Sequence, residues 1–224
     1  MQANKTTIAV IGGTGALGAG IAWRLAGAGY PVVIGSRSPE KAQAAAGEMG
    51  GRPAGGGRTL RGAGNGAAAQ AADLVFVTVP WANHAAILDE IAPNVAGKLV
   101  IDTTVPLVPP RVARAQMPLE GSAALAAQKR LPPGTRVVSG FHNVAASKLQ
   151  KDEAIDCDVL VFGDDAKDRE VVLELAGAMG LRGIHAGPLA NSVAAEALTS
   201  VLIGINRTYK VDGAGIRITG IAAS

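Results

Sequence analysis

The chain has 224 residues, room for one large domain or one domain with an appendage, and its 48% apolar content is that of a core-forming protein rather than a disordered one. The net charge of +3 is spread along the chain with no Lys/Arg block, which argues against a nucleic-acid-binding arm and suits an anionic small ligand. Cys157 is the only cysteine and forms no internal disulfide, so a reducing, cytoplasmic setting is expected, and no His/Cys cluster has metal-ligand spacing.

In chain order, residues 6–12 ("TTIAVIG") read as a buried strand. Residues 16–29 read as a helix with Leu17, Ile21, Ala22 and Leu25 on one side. This oily stretch is not expected to cross a membrane, because residues 8–34 hold seven glycines and Arg24; no other segment is read as a membrane span. "PVVIGS" is a second strand, followed by a helix with Ser38 as N-cap, Pro39 in the first turn and Glu40 near the positive end of the dipole. Residues 50–66 are glycine-rich and read as loop, with only "RTL" able to form a short strand. "AAAQAA" predicts a short helix, "DLVFVTVP" an interior strand, "NHAAILDEIAP" a helix and "GKLVIDTT" another strand. A proline-rich surface segment covers 105–121. Strands are then expected at 135–143, 157–165 and 181–187, with an amphipathic helix at 166–180. A long helix over 189–210 carries Val193, Ala194, Ala197, Leu198, Val201, Leu202 and Ile205 on one stripe, to pack on its own domain or on a second subunit. Alternating strands and helices predict an α/β fold with right-handed crossovers and a parallel sheet.

Gly13-Thr14-Gly15-Ala16-Leu17-Gly18 is G-x-G-x-x-G between a predicted strand and a predicted helix, the context that gives the motif its meaning. The first glycine permits the turn, the second admits a pyrophosphate to the backbone, and the third lets helix and strand pack. Free N–H groups and the helix dipole then face the phosphates. At the end of the second strand, a site for the unphosphorylated dinucleotide places Asp or Glu on the ribose hydroxyls. Here stand Ser36 and Arg37, with Lys41 one turn on and no carboxylate before Glu40. A guanidinium fork, a hydroxyl and an ammonium attract a 2′-phosphate that a carboxylate would repel. NADP is therefore expected over NAD.

Further candidates cluster at strand ends. In "VTVPWANH", Pro80 fixes a turn, Trp81 is placed to wall the site, and Asn83 or His84 to bond a ribose or phosphate, with packing as the competing role. His142 ends a predicted strand and is a candidate orienting donor, against a structural histidine as the alternative. Asp102 is read as structural, and His185 carries little signal. No secure nucleophile, metal site or acid–base pair is found.

The segments "IGGTGALGAGIAWRLAGAGYPVVIGSRSPEKA", "VTVPW", "VVSGFHNVAA", "VFGDD" and "AGPLANS" resemble, in order and over nearly the whole chain, the NADPH-dependent reductases of coenzyme F420, whose nucleotide-binding fold recurs in some ferric reductases. The resemblance implies a Rossmann-type doubly wound sheet with residues 1–135 as NADP domain. Residues 136–224 would be a smaller α/β lobe that completes the sheet and forms the second-cofactor pocket and a homodimer contact. It implies that Thr14 to Leu17 hold the pyrophosphate, that Ser36, Arg37 and Lys41 hold the 2′-phosphate, and that Val79 and Pro80 flank the nicotinamide. His142, Val144 and Ala146 would border the pocket shared by nicotinamide and deazaflavin, and the loop with Gly187 and Pro188, with the helix after it, would help form the second-cofactor pocket and the dimer contact. Hydride transfer between the two rings requires positioning and no protein acid, in keeping with the missing dyad. Two alternatives stay open: an NADP-dependent imine or carbonyl reductase with His142 or Lys148 as proton donor, and an NADP(H) sensor without catalysis.

Overall fold

The computed structural model describes residues 6–51 and 59–221. Strands β1 (Ile8–Ile11), β2 (Val32–Ser36), β3 (Leu60–Gly64), β4 (Leu74–Val77), β5 (Leu99–Asp102), β6 (Arg136–Ser139), β7 (Asp158–Gly163) and β8 (Arg182–His185) form one sheet in the order β3-β2-β1-β4-β5-β6-β7-β8. The first six are parallel; β7 runs antiparallel to β6, joined at Val138–Gly163 and Ser139–Phe162, and β8 is again parallel to β7. The helices are α1 (Ala16–Gly27), α2 (Pro39–Gly50), α3 (Asn65–Gln70), α4 (Trp81–Ile91), α5 (Ala123–Arg130), α6 (Ala146–Leu149), α7 (Ala166–Ala178) and α8 (Ser192–Tyr209).

Both sheet faces are covered, so the central strands read as continuous apolar runs rather than alternating ones. Ile8, Val10, Ile34, Phe76, Leu99 and Ile101 face α1, α2 and α7. Ala9, Ile11, Val33, Val75, Val77 and Val100 face α3, α4 and α5. Ser38 caps α2 as expected, its Oγ accepting the Lys41 N–H at 3.2 Å.

Two elements differ from the sequence reading. The strand in the glycine-rich stretch is Leu60–Gly64 rather than "RTL", and α3 starts at Asn65 rather than at Ala67. The reason is close packing: a Cβ on Gly62 would stand 2.1 Å from the carbonyl carbon of Ala42, so α2 rests directly on the strand. The loop expected at 52–58 lies outside the described residues. Second, residues 123–130, passed over after the proline-rich segment, form α5, capped by Ser122 Oγ, which accepts the Leu125 N–H at 3.0 Å.

The long helix α8 turns little of its apolar stripe inward, which leaves the second of the two expected packings open. Its buried residues are Ser192, Ala195, Glu196, Ser200 and Leu202, while Val201 and Ile205 of the stripe are exposed, as is Tyr209 one turn on. Contrary to expectation, the 21-residue span Leu189–Tyr209 is, by length and composition alone, long and apolar enough to cross a membrane, its 18-residue window having a mean hydropathy of 1.3. A buried carboxylate explains the inward face. Glu196 accepts the N–H groups of Ala123 and Ala124 at 2.6 and 3.2 Å and the Ser192 hydroxyl at 2.8 Å, joining α8 to the start of α5.

One side chain fastens the first half of the chain to the second. The Arg24 guanidinium on α1 donates to the carbonyls of Lys148 and Leu149 at the end of α6, of Lys151 and Glu153 just after it, and of Met179 after α7, at 2.6–3.3 Å. The C-terminal stretch is held by buried Asp158, which pairs with Arg182 at 2.6 Å and Arg217 at 3.2 Å and accepts the Ile218 N–H at 2.6 Å.

Candidate dinucleotide site

The sheet order reverses at β1 and β4, and the crevice at their carboxyl ends is where such sheets bind ligands. The glycine that turns the chain there is Gly12 (φ +80), one residue before the expected Gly13. Gly13 is needed for packing instead, since a Cβ there would meet Val10 O at 2.8 Å. Gly18 seats α1 as anticipated: its Cβ would stand 2.4 Å from Thr78 Oγ1, a hydroxyl held by its bond to Ile11 O at 2.8 Å. Gly15, the N-cap of α1, is different. It is exposed, no side chain caps the helix, and nothing nearer than Gly12 O at 3.3 Å would oppose a Cβ. The first-turn N–H groups at Ala16, Leu17 and Gly18 have no intrahelical partner, the feature that makes a helix start able to bind an anion.

A cleft of about 180 Å³ opens over this turn. It gathers Thr14, Gly15, Ser36, Arg37, Val79, Pro80 and Asn83 of the predicted residues, and adds Gly12, Asn65, Thr78 and Ile87, which the sequence reading missed. Thr78 had a signal, a polar residue closing an oily strand; Asn65 stood hidden among glycines and alanines. Arg37 is exposed on the cleft wall, and Lys41 is exposed in the first turn of α2, outside the lining. Among the described residues neither has an ion-pair partner. Glu40, the nearest carboxylate in sequence, accepts the Ser38 hydroxyl at 2.8 Å.

Two candidates at the start of α4 turn elsewhere. Trp81 stacks near His84, ring centroids 5.3 Å apart, and both line a separate cavity of about 400 Å³ beside Lys129 and Arg130 of α5. His84 Nε2 lies 2.7 Å from Asp102 Oδ2, both side chains being buried, so the imidazole serves the sheet rather than a ribose or phosphate. Burial pushes the Asp102 carboxyl up, but the His84 ring and the Thr104 N–H outweigh it and hold the group below the usual carboxylate range. The same loop ties the strand tips together: Thr104 Oγ1 donates to Val79 O at 3.4 Å and Gly140 N to Asp102 O at 3.2 Å.

Strand β6 stops at Ser139, and Phe141 (φ 64) turns the chain so that His142 lies past the strand end. The His142 ring is buried, its Nδ1 has no partner among the described residues, and burial lowers its pKa to about 4 against the opposing pull of Asp102. At neutral pH it is an uncharged imidazole. Its carbonyl accepts the Thr199 hydroxyl at 2.9 Å, and Asn143 Nδ2 donates to Ala195 O at 3.0 Å, so α8 fixes this turn. His142 and Val144 line a third cavity, about 130 Å³, with Ala145, Leu202 and Asn206. Ala146 opens α6. Gly187 (φ 95) and Pro188 follow β8 and line none of these three cavities; Gly187 O accepts the Gly163 N–H at 3.0 Å.

A sequence profile described as NADP oxidoreductase, coenzyme F420-dependent, matches residues 7–106. The F420-dependent NADP reductase of Methanothermobacter thermautotrophicus is 43% identical over 223 residues, covering 96% of this chain and 95% of that protein. The F420-dependent NADP reductase of Methanocaldococcus jannaschii is 37% identical, covering 96% and 98%. Among solved structures, a protein of Arthrobacter sp. FB24, provisionally described as an F420-dependent NADP reductase, superposes with a TM-score of 0.80 at 27% identity, covering 96% and 99%.

Proposed function

The chain belongs to the F420-dependent NADP reductase family, and from that premise we propose that it passes hydride between NADP(H) and the deazaflavin coenzyme F420. The observation that carries the NADP half is the pairing, in one cleft, of an uncapped helix start at Gly15 with the Arg37 fork, unpaired among the described residues, and the Ser36 hydroxyl. The first receives a pyrophosphate and the second a 2′-phosphate. Lys41 adds a second cation from α2, and Val79 and Pro80 flank the nicotinamide at the β4 tip. In this reading residues 1–135 carry NADP(H), and residues 136–224 carry the second ring and the contact between subunits.

Hydride moves directly between nicotinamide C4 and deazaflavin C5, a reaction in which the two rings supply the chemistry. The protein positions them and excludes water. A neutral His142, fixed through Thr199 and Asn143, suits an orienting role beside Val144 and Ala146 better than that of an acid. The outward Val201, Ile205 and Tyr209 of α8 support a homodimer, with exposures of 53%, 37% and 72% along one stripe. The single thiol, Cys157, buried and unpaired, suits a reducing cytoplasm.

Deuterium labelling tests the reading. With NADPH deuterated at the 4R or at the 4S position, one of the two is expected to place deuterium on reduced F420. Reduced F420 without label from either source contradicts direct transfer.

A further inference from the structure

Among the described residues that line the dinucleotide cleft, one carries a buried side-chain oxygen without a hydrogen-bond partner. Asn65 follows the tip of β3, is 1% exposed, and lines the cleft with Ser36 and Arg37. Its Nδ2 donates to Glu90 Oε2 of α4 at 3.1 Å. A carboxylate only accepts, so this bond sets the orientation of the amide and commits Oδ1 to the opposite side. There Oδ1 lies over Gly35 near the end of β2, 3.2 Å from where a Cβ would stand. Among the described residues it accepts no hydrogen bond. A buried acceptor without a donor is destabilising, and one kept in a ligand cleft is explained when the ligand brings the donor.

We propose that Asn65, held by Glu90, recognises the adenosine half of NADP(H) by accepting a hydrogen bond at Oδ1. The inference rests on the NADP reading above and adds a positioning residue to it. The sheet register favours adenosine over nicotinamide: Gly64 pairs with Ser36, whereas Val79 and Pro80 stand at β4, across β1. With the 2′-oxygen phosphorylated, the adenosine half keeps two kinds of donor, the exocyclic amine of adenine and the ribose 3′-hydroxyl. Both offer the same chemistry to Oδ1.

The test is Asn65→Leu, which replaces the amide by an apolar group of similar size. Removing an unpaired buried acceptor should leave the melting temperature of the free protein unchanged or raised, while the Kd for NADPH rises about 5- to 100-fold. An asparagine with a purely structural role would give the reverse pattern. Glu90→Ala, at an exposed residue, lets the amide turn and should weaken NADPH binding less but in the same direction. NADPH analogues with hypoxanthine for adenine, or with 3′-deoxyribose, separate the two donors. The analogue lacking the relevant donor should bind the parent protein weakly and be indifferent to Asn65→Leu. A parent that does not bind NADPH removes the NADP reading and this inference with it. A parent that binds NADPH while both variants bind within twofold of it overturns this inference alone, as does an equal effect of Asn65→Leu on NADPH and both analogues.

Discussion

Replacing Arg24 by methionine should loosen the joint between the two halves of the chain without touching either cleft. Methionine keeps most of the aliphatic stem and removes every donor. Of the five carbonyls that lose a partner, those of Leu149, Lys148 and Met179 are partly buried and those of Lys151 and Glu153 are bonded at the surface. Water replaces the guanidinium at the surface pair at little cost. Each partly buried carbonyl loses a bond to a charged donor at roughly 1 kcal/mol or more, so about 3–4 kcal/mol is at stake. Burial itself offsets part of the interaction, since desolvation lowers the Arg24 pKa. For a domain of this size that corresponds to a fall in Tm of about 6–16 °C. Thermal unfolding followed by circular dichroism reads the effect, and hydrogen exchange should show the loss concentrated at residues 145–153. Arg24→Lys should fall between the two, because one ammonium cannot reproduce the fork. A Tm for Arg24→Met within 2 °C of the parent would refute the reasoning.

The glycine turn predicts two distinct outcomes. Gly18→Ala forces a methyl against Thr78 Oγ1 and Gly12 O and should cost about 1–3 kcal/mol of stability as well as NADPH affinity. Gly15→Ala meets only Gly12 O, at 3.3 Å, and should weaken binding, read by calorimetry, with a smaller loss of stability than Gly18→Ala. Arg37→Ala and Lys41→Ala should each remove a charge-assisted bond, raising the Kd for NADPH about 10- to 150-fold and leaving that for NADH unchanged. For His142 the folded pKa is about 4 against an ordinary 6.5, so the unfolded chain binds the extra proton between those values. Stability is therefore full above pH 6.5 and falls as the pH drops toward 4, by about 3 kcal/mol at full extent. His142→Phe should flatten that slope in denaturant titrations, and equal slopes for parent and variant would contradict the burial of a neutral ring.

What could be read from the sequence was what local chemistry determines. The β1–turn–α1 unit, the Ser38 cap and the unpaired cations after β2 each depend on neighbours in the chain, and their residue types suffice to reveal them. What could not be read depends on partners far away. Gly62 looked like loop because its reason, the backbone of Ala42 pressed against it, lies on another element. His84 stood beside Asn83 as a candidate ligand with packing as the competing role, and nothing local announces Asp102, 18 residues on, which decides between them. The stripe on α8 left open an inward or an intersubunit face; Leu202 alone of it is buried, along with Glu196, which is satisfied by the backbone at the start of α5. Asn65 gave no periodic signal, and its significance appears only once Glu90 fixes its amide.

The central claim is that this protein couples a 2′-phosphorylated nicotinamide dinucleotide to a deazaflavin. Initial rates of deazaflavin bleaching with purified protein, oxidised F420 and either NADPH or NADH test it most directly. The account predicts rapid loss of the deazaflavin's visible absorbance with NADPH and far slower loss with NADH, the difference collapsing in the Arg37→Ala/Lys41→Ala double variant. No bleaching with NADPH, while NADPH is consumed by an imine or carbonyl acceptor, would contradict it.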